Sequence, residues 1–200
     1  MIHFRYSSVE CYLLPASGGR GLLAYDAGWP CSLHDYARAM KTTGFRLGEI
    51  RWAMVSHFHL DHAGLVRDFQ DAGIECLLFE NQGGGIDEME RLIVRGHKDY
   101  RPILKDRFRR LRLGESRAFL AELGIRGEAL ATPGHSDDSV SLVLDDGDAL
   151  VGDLPPASQV MPDDEASLSS WRRIRELGGL QAWPSHAPPF RLDETLEGDG

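Results

Sequence analysis

The stretch His57–His62, HFHLDH, sets three imidazoles and one carboxylate within six positions, directly behind the apolar run IRWAMVS. Imidazole is costly to bury without a partner and is a common metal ligand. Side chains alternate along an extended segment, so His57 and His59 point to the same side and can reach one ion. Asp61 and His62 come where the chain turns into the next helix, and they can face a second ion. The rest of the chain repeats the arrangement. Asp26 follows GLLAY, His135 follows EALATPG, Asp153 follows ALVG and His186 follows LQAWPS. Five of the eight histidines therefore sit behind strand-like runs, which scatter would not produce. Ligands at strand ends can converge on one mouth of a sheet. The fold has to bring five strand ends together, and two sheets with helices outside absorb that order.

The local pattern agrees. IHFRY, VECYLL and GLLAY read as an opening antiparallel set, with PASGGRG as a turn. A helix is predicted over 32–43, with Ser32 as N-cap and Gly44 as stop. IRWAMVS is a buried strand. HAGLVRDFQDAG is a helix closed by Gly73, and IECLLFE is the next strand. SRAFLAEL is a helix capped by Ser116 and stopped by Gly124. EALAT, SVSLVL and ALVGD are strands, SLSSWRRIREL a helix and LQAWPS a last strand. Residues 83–112 give the weakest pattern. With 200 residues, no linker and no repeat, the chain reads as one α/β domain over 1–200.

Composition removes several classes. No apolar run approaches the ~20 residues of a membrane helix. The start lacks a basic stretch followed by an apolar one, so no export signal is expected and the location expected is cytoplasmic. Cys11, Cys31 and Cys76 are odd in number and widely spaced, which suits a reducing compartment. A net charge of −9 argues against a nucleic-acid partner.

The chemistry of the cluster suits metals. His135 can complete the first ion as a third imidazole, His186 can join Asp61 and His62 on the second, and Asp153 can bridge the two. Zinc accepts this nitrogen and oxygen set and leaves a position for water. Two metals roughly 4 Å apart share a hydroxide and activate it near neutral pH.

HFHLDH resembles the H-x-H-x-D-H signature of the metallo-β-lactamase fold superfamily, and other marks follow in order: DAG at Asp26, TPGHS at His135, GD at Asp153 and SHAP at His186. The resemblance spans residues 10–190. It implies a four-layer αββα sandwich with the metals at one edge. It also implies that Asp26 orients the ligand shell without ligating. The chain departs from the pattern in places. SDDS follows the TPGH of His135, where many members read TPGS. Only fourteen residues follow His186, so a compact member without the helical C-terminal substrate domain of glyoxalase II-like relatives is expected. Asp153 stands where one lactamase group has cysteine. His59 stands where flavodiiron-type members have glutamate, which favours hydrolysis over redox work.

The expected activity is that of a dinuclear zinc hydrolase, with iron or manganese as alternative metals. The metal-bridging hydroxide attacks a small ester, thioester or lactone, and Asp61 receives the proton. The alternatives are a phosphodiesterase or nuclease of the same fold and a mononuclear iron enzyme of the persulfide-dioxygenase kind. Trp29, Phe58, Met161 and Phe190 lie beside motif residues and are expected to line an apolar cleft. Residues 91–117 hold ten Lys/Arg against three Asp/Glu. Arg109 and Arg110 are therefore expected to meet an anionic group of the substrate. The alternative is that these arginines answer neighbouring acids or a second subunit in a homodimer.

Overall fold

The computed structural model describes residues 1–192; the last eight residues of the expected domain lie outside the described residues. Strands β1 (Ile2–Tyr6), β2 (Val9–Pro15), β3 (Leu22–Tyr25), β4 (Ile50–Met54), β5 (Glu75–Phe79) and β6 (Arg109–Leu111) form one sheet in that order. The first three are antiparallel neighbours, and β3 to β6 run parallel. Strands β7 (Gly127–Ala131), β8 (Val140–Leu144), β9 (Asp148–Gly152), β10 (Gln181–Pro184) and β11 (Phe190–Arg191) form the second sheet, in reverse order. Only β9 and β10 are parallel there.

The strands read as near-continuous apolar runs because both faces of each sheet are covered. In β5, Cys76 and Leu78 face an outer core, and Leu77 and Phe79 face the other sheet. Leu23, Tyr25, Met54, Leu142 and Leu150 fill the space between the sheets. Outside the first sheet lie α1 (Leu33–Met40), α2 (Leu60–Ala63), α3 (Val66–Asp71) and α4 (Gly83–Gly96). The helix α5 (Ser116–Glu122) adds Phe119 and Leu120 to the core between the sheets, and Leu123 at its C-cap joins them. Outside the second sheet lies α6 (Glu165–Glu176), whose Trp171 and Ile174 pack on Ala149 and Val151. The result is the expected αββα sandwich. No helix among the described residues is long and apolar enough to cross a membrane.

Three local readings are corrected. The helix predicted from His62 to Gly73 is broken at Gly64–Leu65. There Gly64 N donates to Gly28 O at 2.8 Å and Leu65 N to Ala27 O at 3.1 Å, so backbone that would continue the helix pairs with the turn after β3. Ser32 stands at the N-cap position of α1 but makes no capping bond; its hydroxyl turns to the Trp29 carbonyl. Ser116 is not a cap either. Its hydroxyl donates to Leu113 O and accepts from Ala129 N, which ties α5 to β7. The weakly patterned region 83–112 supplies α4 and the short edge strand β6.

The two sheets are stitched at one end by buried polar groups. Tyr25 donates its phenol to Val140 O at 2.9 Å and Leu150 O at 3.1 Å, and Tyr12 donates to Pro184 O at 2.6 Å. Backbone bonds Val140 N to Ser56 O and Glu10 N to Ser185 O cross the same gap. This end receives the strand termini that carry the histidine motifs.

Candidate metal centre

Asp26 ends β3 in a left-handed conformation, φ 72°, which aspartate tolerates better than most residues. Its carboxylate is fully buried. Oδ1 accepts Ser56 N at 2.7 Å; Oδ2 accepts the Ser185 hydroxyl at 3.0 Å and His62 Nδ1 at 2.8 Å. The Ser56 hydroxyl lies 2.9 Å from His57 Nδ1 and 3.2 Å from Asp26 Oδ2, so His57 donates to Ser56 and Ser56 donates to Asp26. His186 donates its Nδ1 hydrogen to Ser8 O at 2.9 Å, because a carbonyl only accepts. His57, His62 and His186 therefore all turn Nε2 into the site, that of His57 without a partner and those of His62 and His186 beside the carboxylates of Asp153 and Asp61.

These nitrogens meet carboxylates and one another. The ligating atoms of His57, His59 and His135 lie within 4.8 Å of each other, and so do those of Asp61, His62 and His186. A third such group, His57, His62 and Asp153, links the two. Asp153 leaves β9 after Gly152, whose φ of 57° aims the chain into the site. A Cβ at Gly152 would lie 2.5 Å from Ser56 Cβ, so glycine also permits the two sheets to approach here.

The electrostatics ask for a cation. Burial, reinforced by the imidazoles of His62, His59 and His135, holds the His57 pKa well below its usual value. Burial also works against a charged His62, but Asp26 and Asp153 overcome it and raise its pKa to about 10. Burial acts to raise the pKa of Asp61 and of Asp153. For Asp61, His186 and then His62 reverse it; for Asp153, His62 does so first. His57 Nε2 and Asp153 Oδ1 are buried without a hydrogen-bond partner. Orphaned nitrogen and oxygen ligand atoms within this His/Asp cluster fit a metal site.

A cavity of about 790 Å³ opens over His59, Asp61 and His135. Trp29 and Phe58 line it. Met161 and Phe190 do not: Met161 is 65% exposed elsewhere, and Phe190 packs on Trp171 with ring centroids 5.7 Å apart. Arg109 and Arg110 do not reach the cavity either. Both sit on β6, where Arg109 pairs with Glu75 at 3.3 Å and lies over the Phe119 ring, and Arg110 turns to Lys105 O. Other basic groups of the segment are likewise answered by acids, Arg101 by Asp68 and Asp71 and Arg117 by Glu128 and Asp145.

Two features escaped the sequence. The dipeptide SH occurs at Ser56–His57 and at Ser185–His186, and both serines bond Asp26. That repeat was a visible signal. In SDDS, Asp138 is buried; its Oδ2 accepts Phe58 N at 2.8 Å and its Oδ1 accepts the Ser136 hydroxyl at 2.7 Å. It thereby ties the loop of His57 and His59 to the loop of His135. Gly85 makes room, since a Cβ there would lie 2.2 Å from Asp138 Oδ2.

Solved structures share this architecture. A metallo-beta-lactamase family protein, TTHA1429, from Thermus thermophilus is 22% identical with a TM-score of 0.72, over 92% of this chain and 70% of its own. TTHA1623, in a di-iron-bound form, is 20% identical with a TM-score of 0.71, over 98% and 95%. The BLEG-1 B3 metallo-beta-lactamase is 18% identical with a TM-score of 0.65, over 98% and 99%. At these identities the likeness is one of fold. No curated protein matches the chain. The family model of the metallo-beta-lactamase superfamily matches residues 7–183, which takes in Asp26, the cluster at 57–62, His135 and Asp153. With that match over most of its length, the chain belongs to the metallo-beta-lactamase superfamily.

Proposed function

We propose that this chain is a dinuclear metal-dependent hydrolase that carries zinc and acts on a small ester, thioester or lactone. One observation carries the reading. Asp153 Oδ2 lies 3.2 Å from His62 Nε2, 3.5 Å from His186 Nε2 and 3.6 Å from His135 Nε2. A single carboxylate oxygen thus stands between the two ligand groups, where Asp153 would serve both. His57, His59 and His135 would hold one metal and Asp61, His62 and His186 the other. Bound there, the pair supplies Lewis acidity and an activated water.

The chain's own groups do the rest. Asp26 and Ser8 fix the imidazole orientations. Asp61, 2.9 Å from His186 Nε2, is an ionised carboxylate on the cavity wall and takes a proton at a carboxylate oxygen. Trp29 and Phe58 keep water from one side of the substrate. The cavity volume suits a small ligand.

The intact group Asp61–His62–His186 weighs against a mononuclear iron enzyme. The acidic lining of the cavity weighs against a phosphodiester. Iron in place of zinc is the alternative for the metal, since the similar TTHA1623 structure is a di-iron form.

Elemental analysis of purified protein, combined with an ester, lactone and phosphodiester panel, tests the proposal. Two metals per chain and turnover of acyl substrates are expected. Asp61→Asn, fully metallated, should lose about 100-fold or more in kcat. One metal at full loading, or cleavage of phosphodiesters alone, overturns the reading.

A further inference from the structure

The cavity over the metal-ligating residues carries a one-sided charge. One of its walls is a face of α4, where Gly85, Glu88, Met89 and Leu92 recur at helical spacing. Asp137 and Asp138 enter from the loop that carries His135, and Trp29 from the loop after β3. Among the described residues, no lysine or arginine lines the cavity.

These acids differ in what they do. Asp138 is buried and occupied by Phe58 N and the Ser136 hydroxyl. Glu88 and Asp137 are exposed, and neither makes an ion pair or hydrogen bond through its carboxylate among the described residues. Of the basic groups around this face, Lys105 pairs with Asp87, and Arg91, three positions beyond Glu88, turns its Nε to Asp87 O. Asp26, Asp61 and Asp153 answer the charge of a metal pair. Glu88 and Asp137 stand beyond them without an ion pair among the described residues.

Trp29, Phe58, Leu60, Met89 and Leu92 give the lining an apolar part, beside the neutral polar Asn81 and Ser136. Leu92 is 53% exposed on the cavity wall and offers an apolar contact there. An indole beside unpaired carboxylates attracts a cation through both the ring face and the charge. A carboxylate or phosphate on the substrate meets repulsion here, whereas an ammonium group on an apolar arm gains on both counts.

We propose that the cavity selects an acyl substrate bearing an ammonium group on an apolar arm, recognised by Glu88 and Asp137 with Trp29 and Leu92, and that it turns anionic substrates away. The inference rests on the metallo-hydrolase reading, and its test separates the two. Three acetate esters of equal length serve as probes, their alcohols ending in trimethylammonium, in the isosteric tert-butyl group and in carboxylate. The metal-loaded protein should show kcat/KM about tenfold higher for the ammonium ester than for the carboxylate ester at low salt, with the gap narrowing as salt rises. Glu88→Lys with Asp137→Lys should reverse the order. Binding of the trimethylammonium alcohol and its tert-butyl isostere, read by calorimetry, gives a readout without turnover. Tighter binding of the ammonium alcohol, lost in the double variant, supports the proposal even if no ester is cleaved; in that case the hydrolase reading fails alone. Equal binding of the two alcohols, a carboxylate ester that reacts as well as the ammonium ester, or a preference that survives the double variant overturns it.

Discussion

Asp26 satisfies a backbone amide, two serine hydroxyls and an imidazole with one buried carboxylate. Its work is orientation, because it fixes which nitrogen His62 presents. Asp26→Asn should therefore lower metal affinity about 10- to 100-fold while the fold survives. Chelator competition measures the first and near-ultraviolet circular dichroism the second. Asp138→Ala should weaken binding in the same way from the other side, since Phe58 N lies between His57 and His59. Unchanged affinity in both variants would remove the orienting role. The ligand candidates were legible because they are concentrated in short motifs behind apolar runs. Asp138 was not, because its partner Phe58 is eighty positions away and only the folded chain brings them together. Arg109 and Arg110 show the converse. Basic residues crowded along the chain are answered in the fold, where Asp68, Asp71, Glu75 and Asp87 come from earlier elements to meet the segment.

At the scale of elements, alternating and continuous apolar runs revealed most strands, since each sheet is covered on both sides. Helix α4 opens with Gly83, Gly84 and Gly85, poor helix formers, so tertiary demand overrides propensity there. Gly85 is required by Asp138, and the pattern is lost for a packing reason. The break between α2 and α3 has a similar cause. The turn at Ala27 and Gly28 takes the backbone bonds, and Gly64 passes so close to Pro30 that a Cβ would lie 2.2 Å from Pro30 N. Gly64→Ala has acceptable φ but no room, and should destabilise the protein by about 1–3 kcal/mol. Urea unfolding with an unchanged m-value and a lower midpoint is the expected result; an unchanged midpoint would show that the turn yields easily.

At the scale of the molecule, the first sheet and its loops supply His57, His59, Asp61 and His62, and the second supplies His135, Asp153 and His186. Metal bound at the junction binds the native state and not the separated sheets. At a free concentration about 100-fold above Kd it adds about 2.7 kcal/mol. That corresponds to a rise of about 5–10 °C in Tm for a chain of this size, reversed by a chelator. Differential scanning calorimetry with and without metal checks it, and an unmoved Tm would show that the ligand groups are not joined by an ion.

The division between the sheets is also a division of the chain. Every strand of the first sheet ends by Leu111, and every strand of the second begins after Arg126. A single cut between them would leave two fragments, one holding four of the seven metal-type side chains and the other three. Neither fragment could complete a site alone. Metal would then act as a chemical dimeriser, its concentration setting how much of the two pieces is reassembled.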